Sequence, residues 1–325
     1  MSLQDRFGRV MGTLRLSVTD RCDLRCLYCM PATGMQWLPK EELLSFEELE
    51  RVARLLVLAG IKRLRLTGGE PLLRQGLPDL VRRLAALEGV EDVALTTNGT
   101  RLAGLALELK EAGLKRVTVS LDSLDAERFA AITRGGDLAQ VWRGLEAAEA
   151  AGLKIKLNTV VLPQNEADLL PLAQLSLERD WEVRFIEVMP VSSALGHAVE
   201  KGLDLMELKE RLTRRWGTLV PVATDPHAPA RRYALPGARG KLGFIASVSE
   251  PFCSACDRLR LGATGRLQLC MAHPDGLDLR ALLRGRVSDA RLLDAIAEAV
   301  WRKPAGHAFY QSPVPQGLAM SQIGG

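Results

Sequence analysis

Three cysteines near the start of the chain, Cys22, Cys26 and Cys29, have a spacing that suits an iron–sulfur cluster. Thiolates are the usual ligands of such clusters, and three of them can hold three irons of a four-iron cubane while the fourth iron stays open. A structural zinc site is the alternative, but it takes four protein ligands, and the neighbouring sequence offers no His or fourth Cys. The triad therefore favours a four-iron cluster with one open iron.

A second group of three cysteines lies near the end of the chain, at Cys253, Cys256 and Cys270. His273 follows closely and could complete a Cys3His zinc site. Arg258 and Arg260 lie between the second and third cysteines, and a structural zinc site has no need of their charge. On these residues alone, a zinc site and a second iron–sulfur cluster both remain open.

The overall composition is that of a globular protein, with 325 residues, 47% of them apolar and 25% charged. No apolar run approaches the ~18 residues that span a bilayer, and the first residues lack the apolar stretch of a secretory signal. The two odd cysteine triads cannot pair off internally and are typical of metal or redox sites in a reducing compartment. The net charge of +4 is too small to indicate nucleic-acid binding by itself. We therefore expect a cytoplasmic enzyme that binds neither nucleic acid nor membrane.

The first triad follows the first of six strand-like runs that alternate with helical runs. These runs cover residues 13–19, 62–67, 92–97, 116–122, 154–160 and 182–188. One helical run begins at Ser45, where Glu48 completes a capping box, and it ends at Gly60. Six strand–helix units in series imply right-handed crossovers and a parallel sheet. The expected fold class is α/β, an incomplete (β/α)6 barrel of the TIM type.

Basic and polar side chains alternate with aliphatic ones along these runs, as Arg15 does between Leu14 and Leu16. Because neighbouring side chains of a strand point to opposite faces, one face should meet the helices and the other should line the barrel interior. Unpaired buried cations are costly, so we expect this interior to hold an anion, and a polyphosphate suits several converging Arg and Lys side chains. An open, solvated antiparallel sheet is the alternative, although the intervening helices argue against it.

The pattern changes from about residue 217, where Pro and Gly become frequent and long helical periodicity stops. Helical runs return near residues 279–283 and 289–302. We expect a barrel domain over residues 6–220 and a smaller C-terminal domain over residues 221–325 that carries the second triad.

Several motifs resemble those of the radical S-adenosylmethionine superfamily. The first triad, within residues 20–31, resembles its cluster loop, and Gly68-Gly69-Glu70-Pro71 resembles its clamp on the methionine amino group. Over nearly the whole chain, the sequence resembles one family of this superfamily, the GTP 3′,8-cyclases of molybdenum cofactor synthesis. The further motifs that carry this resemblance lie at residues 66–74, 96–99, 120–122, 184–187, 253–260 and 320–325.

The resemblance implies one [4Fe–4S] cluster on each triad, with S-adenosylmethionine at the open iron of the first and GTP at that of the second. It implies contacts to S-adenosylmethionine from Tyr28, Gly69, Ser120 and Met189. It implies contacts to GTP from Arg15, Arg65, Thr96, Lys156, Arg184, Arg258 and Arg260. The first five of these GTP contacts lie on the strand face that alternation already assigns to the interior. No side chain is assigned a catalytic role, because the cofactors supply the chemistry.

The implied reaction is the radical conversion of GTP to 3′,8-cyclo-7,8-dihydro-GTP, the first step of molybdenum cofactor synthesis. The resemblance also implies an external one-electron donor, a homodimer, and transfer of the product to the next enzyme of that synthesis. The terminal Gly324-Gly325 is expected to reach into the site. Asp257, where the family has Asn, and Met271-Ala272 depart from the family pattern but leave the cysteines unchanged.

Two other functions fit parts of the sequence. A radical enzyme that acts on a peptide would use the C-terminal cluster as an electron relay, although such enzymes usually carry more than three cysteines in that region. A zinc-stabilised RNA-binding module would use the Arg-rich surface and predicts zinc together with a salt-sensitive affinity for RNA. Iron, sulfide and zinc analysis of the purified protein distinguishes these alternatives.

Overall fold

The computed structural model describes residues 2–190, 202–273, 275–307 and 309 of the chain. Within these residues, twelve strands form one sheet, accompanied by nine α-helices. The strands are β1 (Thr13–Ser17), β2 (Arg63–Thr67), β3 (Asp92–Thr97), β4 (Arg116–Ser120), β5 (Lys154–Val160), β6 (Glu182–Ile186), β7 (Val220–Val222), β8 (Arg231–Ala234), β9 (Lys241–Ile245), β10 (Arg258–Leu261), β11 (Arg266–Gln268) and β12 (Gly276–Asp278). The helices are α1 (Phe46–Leu58), α2 (Leu77–Ala85), α3 (Ala106–Glu111), α4 (Ala126–Thr133), α5 (Leu138–Ala150), α6 (Leu169–Glu178), α7 (Leu205–Trp216), α8 (Leu279–Arg284) and α9 (Asp289–Trp301). None of these helices is long and apolar enough to cross a membrane.

The centre of the sheet is parallel, as the alternation of strands and helices predicts. The strand order is β12-β11-β10-β1-β2-β3-β4-β5-β6-β9-β8-β7, and the strands from β10 through β1–β6 to β9 run parallel. Antiparallel strands are added only at the two edges. All six predicted strands are present, so the alternative of an open antiparallel sheet is wrong for this part of the chain.

The predicted division of these strands into an apolar and a polar face is confirmed. The aliphatic side chains of β1, β2 and β4 are fully buried in one hydrophobic core with residues of the helices: Leu14, Leu16, Leu64, Leu66, Val117 and Val119. Between them, Arg15 and Arg65 are only partly buried, whereas the smaller Thr118 is buried. Helices therefore cover one face of the sheet, and the other face is left for the site.

The first crossover helix begins and ends where its sequence predicts. Ser45 Oγ accepts a hydrogen bond from the Glu48 amide at 3.1 Å, and the Glu48 carboxylate accepts one from the Ser45 amide at 2.8 Å. Gly60 has a φ of 103°, a conformation that costs glycine little, and lets the chain turn into β2. This local chemistry returns the chain to the amino end of the next parallel strand.

The C-terminal part of the chain extends the same sheet at both edges. β10, which carries Arg258 and Arg260, pairs in parallel with β1, while β9 pairs in parallel with β6. β7 is the last strand at one edge, where Pro221 lacks an amide hydrogen to donate. The domain boundary between residues 220 and 221 stays a prediction, since the sheet continues across it. The expected Gly324-Gly325 tail lies outside the described residues.

Candidate active site

The carboxyl ends of all six strands β1–β6 open into one cavity of about 200 Å³. Each of the six strands, or the loop that follows it, contributes a lining residue. From β1 to β6 these include Cys22, Gly69, Asn98, Ser120, Asn158 and Met189. In a flat sheet, β1 and β6 would be about 24 Å apart, too far to share such a cavity. The sheet is therefore curved around it, as expected for an incomplete barrel.

The three cysteines of the first triad line this cavity together. Burial raises the pKa of Cys22 to about 12 and that of Cys29 to about 11. The pKa of Cys26 is also raised, chiefly by burial and then by the charge of Cys29. Three partly buried cysteines whose thiols lie close enough to interact electrostatically suit a group that takes up their negative charge, as an iron–sulfur cluster does.

The Gly68-Gly69 pair joins the loop after β2 to the segment that leads into the first triad. The Gly69 amide donates to Thr19 O at 2.8 Å, and the next amide, that of Glu70, donates to Arg21 O at 2.7 Å. A Cβ atom on Gly69 would lie 2.2 Å from Arg21 O, inside any possible contact. Glycine is required here because two backbones touch, and this contact fixes the cysteine loop to β2.

Glu70 extends this linkage from the β2 loop to the β3 loop. Its carboxylate accepts hydrogen bonds from the Thr97 hydroxyl at 2.7 Å, the Asn98 amide at 2.6 Å and the Leu72 amide at 3.0 Å. Burial raises the pKa of Glu70 to about 7, against the effect of these donors. The motif at residues 96–99 is thus tied to the Gly-Gly motif through one buried carboxyl group.

Tyr28 is held by a residue that the sequence analysis quoted only as part of a motif. Its hydroxyl donates to Asp122 Oδ2 at 2.7 Å, and Asp122 Oδ1 accepts from the Val160 amide at 2.8 Å. Asp122 is 2% exposed, and burial raises its pKa to about 6. The sequence signal for Asp122 was its position two residues after Ser120, because residues two apart in a strand lie on the same face.

All four residues predicted to contact S-adenosylmethionine line the cavity of the first triad: Tyr28, Gly69, Ser120 and Met189. Thr96, a predicted GTP contact, lines it as well. Met189 also lines a second cavity, described below, and so lies where the two spaces meet. Their contacts to ligands stay predictions, but the structure places these residues around one space.

The predicted basic interior forms around Arg15 on β1. Arg15 is directly opposite Arg65 on β2 and Arg260 on β10 in the strand register. Burial lowers the pKa of Arg15, and the charges of Arg260, Arg258, Arg65 and Arg184 lower it further. Four guanidinium groups from three neighbouring or nearby strands therefore lie within electrostatic reach of Arg15.

Three of these cations form ion pairs with carboxylates of the protein itself. Arg65 forms an ion pair with Asp92, while Lys156 and Arg184 pair with Glu182 at 2.8 and 2.6 Å. Both carboxylates are the first residues of their strands, β3 and β6, on the same face as the cations. The alternation along each strand already places both carboxylates on the polar face, so the sequence contained this signal. The interior thus carries its own counter-charges and keeps an excess of positive charge.

A second cavity of about 80 Å³ contains the second triad. Cys253, Cys256 and Cys270 line it together with Arg258 and Arg260. Burial raises the pKa of Cys270. These arginines make the cavity wall cationic, which suits an iron–sulfur cluster because its thiolates and sulfides carry excess negative charge. A structural zinc site would not need this positive charge.

The alternative zinc ligand, His273, contacts another part of the chain. Its Nε2 lies 3.1 Å from Gly306 O, and the described residues that line the second cavity do not include His273. In the described part of the chain, no three His, Cys, Asp or Glu side chains group as ligands of a single metal ion. His273 thus links the cysteine loop to the chain that follows α9.

Lys303 is a lining residue of the second cavity that the sequence analysis missed. It is 2% exposed, and its ammonium group donates to two backbone carbonyls. Burial lowers the pKa of Lys303, while the charges of Cys256 and Cys270 oppose this decrease. No pattern in the sequence marks this lysine, because it lies just beyond an ordinary amphipathic helix.

Comparisons with known proteins agree with this geometry. Residues 16–176 match the family model described as Radical SAM superfamily, and residues 181–309 match the one described as Molybdenum Cofactor Synthesis C. GTP 3′,8-cyclases of Pelotomaculum thermopropionicum and Moorella thermoacetica are 46% and 44% identical, over 99% of this chain and 100% of each relative. GTP 3′,8-cyclase 1 of Pseudomonas aeruginosa is 45% identical over 99% of this chain and 98% of its own.

Solved structures with a similar fold are more distant in sequence. SuiB of Streptococcus suis superposes with a TM-score of 0.62 at 16% identity, covering 94% of this chain and 67% of SuiB. The enzyme anSMEcpe with bound AdoMet gives a TM-score of 0.50 at 18% identity, covering 63% of this chain and 57% of its own. At such identities the likeness concerns the fold alone, an α/β architecture around a parallel sheet.

Proposed function

The chain belongs to the radical S-adenosylmethionine superfamily and, within it, to the GTP 3′,8-cyclases, and on this premise we propose that it converts GTP to 3′,8-cyclo-7,8-dihydro-GTP in molybdenum cofactor synthesis. One observation carries the proposal. Two cysteine-lined cavities meet at Met189, and β10, which borders the second, brings its arginines beside the basic face of β1. A radical source and an anionic substrate thus have adjacent places in one barrel.

Cys22, Cys26 and Cys29 hold the first [4Fe–4S] cluster in this proposal, and the burial of the three thiols at one cavity supports it. When bound, this cluster and S-adenosylmethionine supply a one-electron radical source. Tyr28, kept in place by Asp122, closes one side of the space for the nucleoside. The close backbone contact at the Gly-Gly motif fixes the cysteine loop relative to β2.

GTP occupies the basic side of the barrel in this proposal. Guanidinium and ammonium groups bind the triphosphate and hold the ribose toward the first cavity, which supplies orientation rather than acid–base chemistry. The residues assigned to GTP are Arg15, Arg65, Thr96, Lys156, Arg184, Arg258 and Arg260. The second triad, Cys253, Cys256 and Cys270, would hold the second [4Fe–4S] cluster, which would supply an open iron for the guanine. The cationic wall of its cavity supports this assignment.

Radical S-adenosylmethionine chemistry requires an electron donor. We include in the proposal that this donor is an external one-electron carrier and that the chain works as a homodimer in the cytoplasm. A further part is that the product passes to the next enzyme of molybdenum cofactor synthesis.

An anaerobic turnover assay tests the reaction. The protein reconstituted with iron and sulfide receives GTP, S-adenosylmethionine and dithionite. We expect 5′-deoxyadenosine together with a new nucleotide that is chromatographically distinct from GTP but has the same mass. Wild-type protein should bind about eight irons per chain, and Cys26→Ser about four.

Two controls separate the parts of this proposal. Cys26→Ser should abolish 5′-deoxyadenosine formation, whereas Cys256→Ser should retain the first cluster and lose the cyclised nucleotide. Protein that holds about eight irons and cleaves S-adenosylmethionine, but leaves GTP unchanged, would refute the substrate assignment. About four irons plus one zinc per chain would refute the second cluster.

A further inference from the structure

A buried lysine bridges the two chain segments that carry the last two cysteines of the second triad. Lys303 Nζ donates to Arg258 O at 2.9 Å and to Leu269 O. Arg258 lies two residues after Cys256, and Leu269 immediately precedes Cys270. One ammonium group therefore fixes the distance between the backbones of these two cysteines. Both acceptors are carbonyl oxygens, and Lys303 is only 2% exposed.

A buried arginine from the other end of the chain holds the remaining cysteine. Arg9 Nη1 donates to Cys253 O at 2.7 Å, and the same guanidinium donates to Pro304 O at 2.5 Å and Ala305 O at 3.0 Å. Asp5, 1% exposed, pairs with Arg9 Nε at 2.6 Å and sets the orientation of the guanidinium. The first and last described segments of the chain thus meet at the second triad.

We propose that Lys303 and Arg9 are positioning residues for the second iron–sulfur cluster, and that the Lys303 charge makes this cluster easier to reduce. The inference rests on the proposed function only in that the second triad holds a cluster. Between them, the two cations contact the backbone beside all three cysteines. Both positions differ from those of Arg258 and Arg260, whose assigned partner is GTP.

The effect on reduction follows from charge and burial. Reduction adds one electron to the cluster and makes or breaks no bond, so it increases the negative charge of the cavity. Lys303 lines that cavity, and a cation in a buried setting stabilises the reduced form more than a solvated one does. Without this charge, the reduction potential should fall.

The test uses the full chain in which Cys22, Cys26 and Cys29 are replaced by Ser, so that only the second cluster forms. Lys303→Met removes the charge and both hydrogen bonds, whereas Lys303→Gln removes the charge and keeps a donor. Arg302→Met and Arg302→Gln are matched controls, because the neighbouring Arg302 is exposed and pairs only with Glu298 among the described residues. Cluster stability is read from the rate of iron release to a chelator, and the potential from a dithionite titration followed by electron paramagnetic resonance.

We expect Lys303→Met to release iron at least tenfold faster than the Arg302 controls. Lys303→Gln should release iron more slowly than Lys303→Met, because it keeps a hydrogen-bond donor. Both Lys303 variants should shift the reduction equilibrium at least tenfold toward the oxidised form, which for one electron is 59 mV. If the iron-release rates and the reduction equilibrium constants of the Lys303 variants lie within twofold of those of the Arg302 controls, the inference is overturned. Lys303→Arg, which keeps the charge, should retain the wild-type potential.

Arg9 is tested with its buried partner, because Arg9→Met alone would leave the Asp5 carboxylate without its counter-charge. The double variant Asp5→Asn/Arg9→Met should also release iron at least tenfold faster than Arg6→Met, an exposed neighbour. Unchanged release in the double variant would overturn the role of Arg9.

The same background separates this inference from the proposed function. If the triple-Ser chain with native Lys303 and Arg9 binds no iron, the assignment of a second cluster fails. If it binds about four irons per chain and the variants behave as the controls do, only the positioning role fails.

Discussion

Replacing Gly69 by alanine should displace the loop that carries the first cysteine triad. The new Cβ would lie 2.2 Å from Arg21 O, whereas real Cβ contacts do not fall below 3.0 Å, so one of the two backbones must move by about 0.8 Å. This movement strains the 2.8 Å hydrogen bond from Gly69 to Thr19 and the 2.7 Å bond from Glu70 to Arg21. Overpacking costs about 1–3 kcal/mol and the loss of each hydrogen bond about 1 kcal/mol, so the free energy of unfolding should fall by about 3–5 kcal/mol.

The functional loss should be larger than a loss of stability alone would cause, because Arg21 immediately precedes Cys22. A misplacement of about 1 Å at a reacting centre costs about 100-fold in rate. We therefore expect Gly69→Ala to cleave S-adenosylmethionine at least about 100-fold more slowly under conditions where the chain stays folded. Gly104→Ala is the matched control, because a Cβ at Gly104 meets no atom within 4 Å. If Gly69→Ala cleaves S-adenosylmethionine as fast as Gly104→Ala does, the contact argument is refuted.

Three further predictions concern the charged interior. Lys156→Ala should weaken GTP binding about tenfold in equilibrium titrations, which corresponds to about 1.4 kcal/mol, with the iron content of both clusters unchanged. Burial alone would raise the pKa of Glu182, but the charges of Arg184 and Lys156 outweigh this effect and lower the pKa to about 2. Its stabilising effect is complete above the ordinary value of 4.5 and is lost as the pH falls toward 2, so unfolding of the cluster-free wild type should depend more on pH in this range than that of Glu182→Gln. Asp257→Asn should lower the free energy of unfolding by about 1–3 kcal/mol, since it removes the ion pair of a 2%-exposed carboxylate with Arg63 at 2.7 Å; an unchanged denaturation midpoint would contradict this.

The Asp257 pair also explains a departure from the family pattern. Where the resemblance leads us to expect Asn, this chain has a carboxylate that accepts hydrogen bonds from Thr13 Oγ1 at 2.9 Å and from Arg63. Asp257 directly follows Cys256, and its carbonyl accepts the amides of Gly12 and Thr13. The carboxylate is thus accommodated by an ion pair to Arg63 on β2, while hydrogen bonds from Gly12 and Thr13 hold the start of β10 beside β1.

Local patterns in the sequence were sufficient to predict the six central strands and to propose the first site. The capping box at Ser45, the alternation around Arg15 and the spacing of Cys22, Cys26 and Cys29 each depend on neighbours within a few residues. Such short-range relations are set by backbone geometry, with a period of two in strands and 3.6 in helices. The sequence therefore determined the parallel sheet and its two faces, and it predicted the first cysteine triad as a cluster site.

The pairing of distant segments was decided only by the tertiary structure. Nothing near Lys303 or Arg9 in the sequence indicates that both contact the second triad, and Arg9 lies 244 positions away from Cys253. The counter-charges Asp92 and Glu182 likewise gain their meaning only when neighbouring strands place them beside Arg65 and Lys156. A side chain's partner across the fold depends on how the whole sheet curves and which strands become neighbours. Periodicity along the chain assigns a residue to a face, and only packing in three dimensions decides what that face meets.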